Sequence, residues 1–137
     1  MTIDRFVKAQ KYEYSTALKE IKKGQKTSHW IWYIFPQIKG LGQSSISKKY
    51  GLEGIEEARE YLSNPVLRNH LYEISNELLK HKDKDINTIM GSNIDAVKLK
   101  SCMTLFNEVE PNSIFEDVLE SFYNGEKDEK TLTLIKK

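Results

Sequence analysis

The residue types best suited to chemistry lie in one segment, from His29 to Ser44. An imidazole stands at its start, and an amide, Gln37, follows a run of aromatic and apolar residues that includes Trp30 and Trp32. Aromatic rings stack on planar ligands, and imidazole is the commonest general acid or base in enzymes. The segment therefore predicts a small-molecule site with His29 as a candidate catalytic acid-base group, although aromatic runs also form ordinary protein cores.

The second half of this segment is a loop that contains Gly40, Gly42 and Ser44. Glycine lets a backbone approach a phosphate closely enough for N–H donation, and a helix beginning at Ser44 would present its positive end to an anion. This pattern favours a phosphorylated, nucleotide-like ligand. Two glycines fall short of a complete phosphate-binding motif, so an ordinary turn is the alternative interpretation.

Lys98, Ser101 and Thr104 form a second group of candidates, on a predicted helix. At about 100° per residue, Lys98 and Ser101 share a stripe that borders an apolar stripe. Apolar residues cover so much of this helix that we expect it to be central, and its polar side chains then need partners or a ligand. The alternative is that Lys98 extends to solvent and Ser101 hydrogen-bonds to its own helix.

The favoured hypothesis is a pocket where these two groups meet, with Arg5 and Gln10 as further ligand-binding donors. Hydrolysis or group transfer with His29 as acid or base is the simplest reaction for such a pocket. Cys102 as a thiol nucleophile is disfavoured, because cysteines inside helices are usually small core residues. The histidines lack metal-ligand spacing, so the sequence predicts neither a metal site nor a cofactor.

Composition bounds the class of protein. The chain has 137 residues, of which 39% are hydrophobic and 30% charged, and this predicts one globular domain over residues 1–137. A net charge of +1 and the lack of a continuous basic stripe argue against nucleic acid as a partner. Four lysines crowd the segment around the end of the first predicted helix and are interpreted as a solvated helix end; they are Lys19, Lys22, Lys23 and Lys26.

The chain also lacks the sequence features of membrane and secreted proteins. No apolar stretch approaches the roughly 20 residues that span a bilayer, so no membrane partner is predicted. The N-terminal residues lack the apolar run of a secretion signal, and a single cysteine, Cys102, gives no sign of an oxidising compartment. We therefore expect a cytoplasmic protein, either a monomer or a homodimer.

Helix signals recur along the chain. Apolar residues repeat every three or four positions over residues 4–23, which predicts an amphipathic helix ended by Gly24. Asn64 followed by Pro65 has the order of a cap and a first helical residue, so a second long helix is expected from there to about residue 81. Residues 55–62 predict a shorter helix between these two.

The C-terminal half carries similar signals. Asn93 is the expected cap of a third long helix that ends at Val109. Ser113 and Glu116 have the spacing of a capping box, which predicts another helix. Aspartate is favoured at the N-cap position of helices, so Asp128 predicts the start of a final short helix.

The run from Trp30 to Phe35 could be a buried strand or a buried helix, because six consecutive apolar or aromatic residues have no diagnostic period. Ser28 as a cap and Pro36 as a stop favour the helix. No alternating run is long enough to predict a sheet. The sequence thus predicts an all-α fold, a single compact multi-helix domain with a short buried aromatic helix.

Several separated motifs occur in order along the chain. They are Arg5-Phe6 with Ala9-Gln10, His29-Trp30-x-Trp32-x-x-Phe35-Pro36-Gln37, Gly40-Leu41-Gly42-x-Ser44, and Asp95-x-x-Lys98-Leu99-x-Ser101-x-Met103-Thr104-Leu105-Phe106. Together these motifs resemble the bacterial family catalogued as domain of unknown function 1810, from about residue 5 to residue 134. The resemblance implies a mainly helical fold and no established activity to transfer, and members of this family are sometimes labelled calpastatin. At the position of Cys102 the family pattern usually carries serine, which implies a small packed side chain there.

Two functions from different classes remain open at this point. The first is a pocket for an unidentified small molecule, with an anionic one favoured. The alternative is a non-enzymatic protein-interaction module, in which the tryptophans or the second long helix present an apolar patch to a partner. Convergence of His29, Gln37, Lys98 and Ser101 on one concavity would favour the pocket.

Overall fold

The computed structural model describes residues 2–136, and every regular element in that range is a helix. The all-α prediction is therefore confirmed, including the short aromatic helix. Within this range the helices are α1 (Asp4–Lys23), α2 (Ile31–Ile34), α3 (Ser45–Tyr50), α4 (Ile55–Ser63), α5 (Pro65–Leu79), α6 (Ile86–Met90), α7 (Asn93–Val109), α8 (Ile114–Tyr123) and α9 (Glu129–Ile135).

Local signals fix the ends of the longer helices. Gly24 ends α1 in the left-handed conformation (φ 80°), which glycine adopts without strain. The Asn64 side chain accepts hydrogen bonds from the N–H groups of Val66 and Leu67, and Pro65 begins α5. These are the caps that the sequence predicts, because each depends on contacts within a few residues.

Other capping predictions are wrong. Ser92, not Asn93, caps α7, with its hydroxyl accepting from the Asp95 N–H at 3.1 Å. Ser113 makes no capping hydrogen bond to α8, because its hydroxyl donates to the Glu110 carbonyl instead. Ser28 does not cap α2 either, since Trp30 holds the N-cap position.

Helix α7 lies at the centre of the fold. It packs against α2, α4, α6, α8 and α9, and its stripe of Leu99, Cys102, Met103 and Phe106 is fully buried. The Phe106 ring continues an aromatic row through the core, because its centroid lies 5.3 Å from that of Tyr61. The expectation of a central helix is met.

Helix α2 is a single turn held in the core by its flanks. Trp30 and Phe35 are both 0% exposed, while Trp32 is only partly buried. After α2, the backbone pairs with the segment that precedes α4, since the Leu52 N–H donates to the Gln37 carbonyl at 2.9 Å. This bridge fixes where the aromatic segment ends and where the glycine loop begins.

No helix between residues 2 and 136 is both long enough and apolar enough to cross a membrane.

Candidate functional site

A cleft of about 310 Å³ lies between the end of the aromatic segment, the first turns of α7 and the start of α9. Five of the predicted site residues line it together, although they come from two distant parts of the sequence. They are Trp32, Gln37, Gly42, Lys98 and Ser101. The remaining lining residues were not predicted as site residues: Leu41, Ser47, Asn93, Ile94, Val97, Asp128 and Lys130.

Lys98 reaches the cleft across the face of an indole. Its ammonium nitrogen lies 4.7 Å from the centroid of the Trp32 ring, within the range of a cation–π interaction. It also lies 3.6 Å from the Asp95 carboxylate, and its side chain keeps 26% of its exposure. The lysine is therefore oriented by two neighbours and still accessible from solution.

Asp95 is shared by a second, buried lysine. The Lys26 ammonium lies 2.7 Å from the other carboxylate oxygen of Asp95, donates to the Ser28 carbonyl and lies 5.0 Å from the Trp30 centroid. The interpretation of Lys26 as part of a solvated helix end is wrong, because this residue is only 8% exposed. Its long-range partner had no local sequence signal.

Glu20 of α1 organises the chain that enters the aromatic segment. Its carboxylate accepts from the Ser28 hydroxyl, from two backbone N–H groups and from the Trp30 indole N–H, at distances of 2.5–2.9 Å. Burial raises the pKa of this carboxyl, but these hydrogen bonds outweigh burial and lower the pKa to about 2. Sequence reasoning missed Glu20, which resembles any charged residue of an amphipathic helix.

Trp30 was predicted to bind a ligand, but it does not line the cleft. Its ring is completely buried, and its indole N–H is used by Glu20. The ring contributes packing, whereas the neighbouring Trp32 contributes a surface to the cleft.

The two loop glycines are favoured by backbone conformation at Gly40 and by a close side chain at Gly42. Gly40 has φ of 110°, a conformation that strains other residues. A Cβ on Gly42 would come within 2.7 Å of the Ser47 hydroxyl. Ser44 caps α3 by accepting from the Ser47 N–H, and its side chain is exposed. These contacts explain the presence of Gly40, Gly42 and Ser44 in the loop, and no bound phosphate is needed to explain it.

Arg5 and Gln10 also lie outside the cleft and make contacts within the fold. The Arg5 guanidinium forms a two-pronged ion pair with Glu57 at 3.0 and 3.1 Å, and it donates to the backbone carbonyls of residues 2, 49 and 51. The Gln10 amide donates to the Tyr33 carbonyl and the Tyr61 hydroxyl. Both side chains tie α1 to its neighbours.

His29, the candidate acid-base group, is exposed and does not line the cleft. Its backbone carbonyl accepts a weak hydrogen bond from the Tyr33 hydroxyl.

Thr104 is buried, donates to the Lys100 carbonyl and accepts from the Asp128 N–H, so it fixes the start of α9. Burial raises the pKa of the Cys102 thiol, which disfavours the reactive thiolate.

Comparison with known proteins shows the family. Residues 1–135 match the family described as "Protein of unknown function (DUF1810)". The chain belongs to this family. The resemblance of the sequence motifs is thereby confirmed over nearly the whole length.

A solved structure supports the same relationship. The chain is similar to the conserved hypothetical protein Rv1873 from Mycobacterium tuberculosis, at 35% sequence identity and a TM-score of 0.93. The similarity covers 98% of this chain and 96% of that chain. No protein with a curated description matches. Neither relationship names a ligand or a reaction, so the chemistry of the cleft is the basis for a function.

Proposed function

We propose that this member of the DUF1810 family binds a small phosphorylated, nucleotide-like ligand in the cleft beside Trp32. The observation that supports the proposal most strongly is the Lys98 ammonium, held 4.7 Å from the centroid of a partly exposed indole. An anionic group of a ligand would meet the lysine, and a flat ring would meet the indole.

The other lining groups suit a ligand of mixed polarity. Gln37 and Asn93 offer amide donors and acceptors, while Ile94 and Val97 remain 68% and 47% exposed at the same cleft. Ligand sites commonly combine apolar walls with a few polar groups that fix orientation. The cleft volume of about 310 Å³ lies at the lower end of the range for small-molecule pockets.

The proposed function is ligand binding, and catalysis is a separate question. Hydrolysis or group transfer with His29 as acid or base needs this side chain to move toward the ligand, because it does not line the cleft. A reaction on the bound ligand therefore stays a secondary hypothesis. A cytoplasmic location also stays a prediction.

Thermal-shift screening against nucleotides and sugar phosphates tests the binding proposal. We expect adenosine monophosphate or a related compound to raise the melting temperature, and Lys98→Met to weaken binding by about tenfold, a loss of about 1.4 kcal/mol. If no phosphorylated compound stabilises the protein, or if Lys98→Met binds as the wild type does, the proposal is wrong.

Lys100 provides the matched control for Lys98. It lies on the same helix, 5.9 Å from the Tyr123 centroid and 3.8 Å from the Glu126 carboxylate, with a similar side-chain exposure of 23%. It does not line the cleft. Lys100→Met should therefore remove a comparable lysine without changing ligand affinity.

A protein-interaction module is the second candidate function. The exposed side chains of Ile94 and Val97 favour it, because a partner could cover both. Replacing both with serine should abolish capture of a partner in pull-down experiments if this function is correct. The small-ligand proposal instead predicts that phosphorylated compounds raise the melting temperature of the purified protein in the absence of any partner.

A further inference from the structure

Lys26 is a buried cation with fixed surroundings. Its side chain is 6% exposed, and its backbone N–H donates to the Ile89 carbonyl at 2.7 Å. Its ammonium is fixed by the Asp95 carboxylate, the Ser28 carbonyl and the face of Trp30. A buried charge of this kind requires a charged partner, and Asp95 supplies it.

Asp95 is closer to Lys26 than to Lys98. The two N···O distances are 2.7 Å and 3.6 Å, and the Lys26 side chain is much less exposed than that of Lys98, at 6% against 26%. Attraction between charges grows as distance and solvent exposure fall. The negative charge of Asp95 is therefore offset mainly by Lys26, and the positive charge of Lys98 remains largely uncompensated.

We propose that Lys26 sets the charge of the cleft: by neutralising Asp95, it leaves Lys98 free to hold an anionic group against Trp32. This inference rests on the proposed binding function and extends it to the charge selectivity of the site. Lys26 is a positioning residue, because it is buried, faces the Trp30 ring and does not itself line the cleft. The site then selects anionic ligands over neutral ones of the same shape.

Two other charged groups line the cleft. One carboxylate oxygen of Asp128 accepts from the N–H and the hydroxyl of Thr131, at 2.9 and 2.6 Å, so this residue is occupied as the cap of α9. Lys130 is exposed and adds positive charge at the mouth. Asp128 and Lys130 carry opposite formal charges, and within the described residues neither forms an ion pair with Lys26, Asp95 or Lys98.

Removing Lys26 should leave Lys98 as the ion-pair partner of the Asp95 carboxylate. In Lys26→Met the carboxylate loses its closer partner, and Lys98 is the cation that remains within reach. The resulting pair cancels the charge at the cleft. A second substitution, Asp95→Asn, removes the carboxylate and frees Lys98 again, so the double variant should recover what the single variant loses.

Quenching of tryptophan fluorescence measures this charge without a ligand. Trp30 is fully buried, so a dissolved quencher reaches Trp32. At constant ionic strength, iodide should quench the wild type more strongly, relative to neutral acrylamide, than it quenches Lys98→Met. Lys26→Met should match Lys98→Met, and the Lys26→Met/Asp95→Asn variant should return to the wild-type ratio or exceed it.

The Lys26→Met/Asp95→Asn variant keeps the test informative if Lys26→Met does not fold, because it removes both charges of the buried pair and leaves neither unpaired. The capping bond of α7 uses the backbone N–H of Asp95, so the second substitution preserves the cap. This variant should keep at least the wild-type iodide ratio and bind adenosine monophosphate more tightly than adenosine. An iodide ratio as low as that of Lys98→Met would overturn the proposal.

Titration with adenosine monophosphate separates this inference from the proposed function. If the wild type binds the nucleotide but the Lys26 and Asp95 variants bind it equally well, the charge-setting role of Lys26 is wrong while the binding function stands. If the quenching ratios follow the prediction and the nucleotide does not bind, Lys26 controls the charge of the cleft but the proposed ligand class is wrong. Loss of affinity without recovery in the double variant indicates a merely structural role and contradicts the inference.

Discussion

The two tryptophans of the aromatic segment have opposite roles, although one residue separates them. Trp30 is fully buried, donates to Glu20 and lies near Lys26, whereas Trp32 lines the cleft and lies near Lys98. Each ring has a lysine at its face, and both lysines share one carboxylate. The comparison shows that the same pairing of a lysine with an indole is buried in the core at Trp30 and accessible from solution at Trp32.

The largest expected effect separates the tryptophans by stability. Trp30→Ala should lower the free energy of unfolding by about 3–5 kcal/mol, because it leaves a large cavity in the core. Trp32→Ala should cost roughly 1–2 kcal/mol, because its ring is only partly buried. Urea denaturation followed by circular dichroism measures both. Equal losses would contradict the assignment of separate roles.

Glu20 should account for much of the stability on the Trp30 side. Glu20→Ala leaves several donors without their charged acceptor, and we expect a loss of about 2–3 kcal/mol in the free energy of unfolding. Glu60→Ala, which removes an exposed carboxylate of α4, is the control and should change it by less than about 0.5 kcal/mol. A Glu20 variant as stable as this control would show that the hydrogen bonds do not hold the segment.

The same carboxylate should give the protein an acid-sensitive contribution to stability. The pKa of Glu20 falls from its ordinary value of 4.5 to about 2 in the folded protein, so folding favours the ionised form. This contribution is complete above pH 4.5 and is lost as the pH falls toward 2. The stability difference between the wild type and Glu20→Gln should therefore shrink over this window in urea denaturation, and a constant difference would contradict it.

Ser101 should give the smallest effect, although it lines the cleft. Its hydroxyl donates to the Val97 carbonyl at 3.1 Å, within its own helix. Ser101→Ala should therefore change the free energy of unfolding by less than about 1 kcal/mol. It should also reduce nucleotide affinity less than Lys98→Met does. A larger loss by calorimetric titration would show that the hydroxyl turns toward the ligand.

The sequence predicts those parts of the fold that depend on neighbouring residues. Gly24 fixes the end of α1, and Asn64 with Pro65 fixes the start of α5. The effect of each of these residues extends over one turn. Helix α6 was missed, because five residues are too few to show a helical period. The capping box at Ser113 failed because its hydroxyl had a competing acceptor in the preceding turn.

The candidate site shows the same limit. The sequence singles out Trp32, Gln37 and Lys98 by residue type, and the structure brings them to one cleft. Burial of Lys26 depends on its ion pair with Asp95, which lies far along the chain. The sequence around Lys26 shows only neighbouring lysines, which predict a solvated side chain instead. Asp95 and Lys98 have a local signal, because residues three apart are neighbours on a helix, yet this spacing does not reveal the second lysine.

Of the two tryptophans, we expect Trp32 to bind ligand and Trp30 to remain outside the binding site. The most direct test follows the two indole N–H signals in a proton–nitrogen correlation spectrum during titration with adenosine monophosphate. We expect the Trp32 signal to shift in a saturable way, the Trp30 signal to stay in place, and adenosine to have a weaker effect. A shift of the Trp30 signal alone, or no shift of either signal, would contradict it.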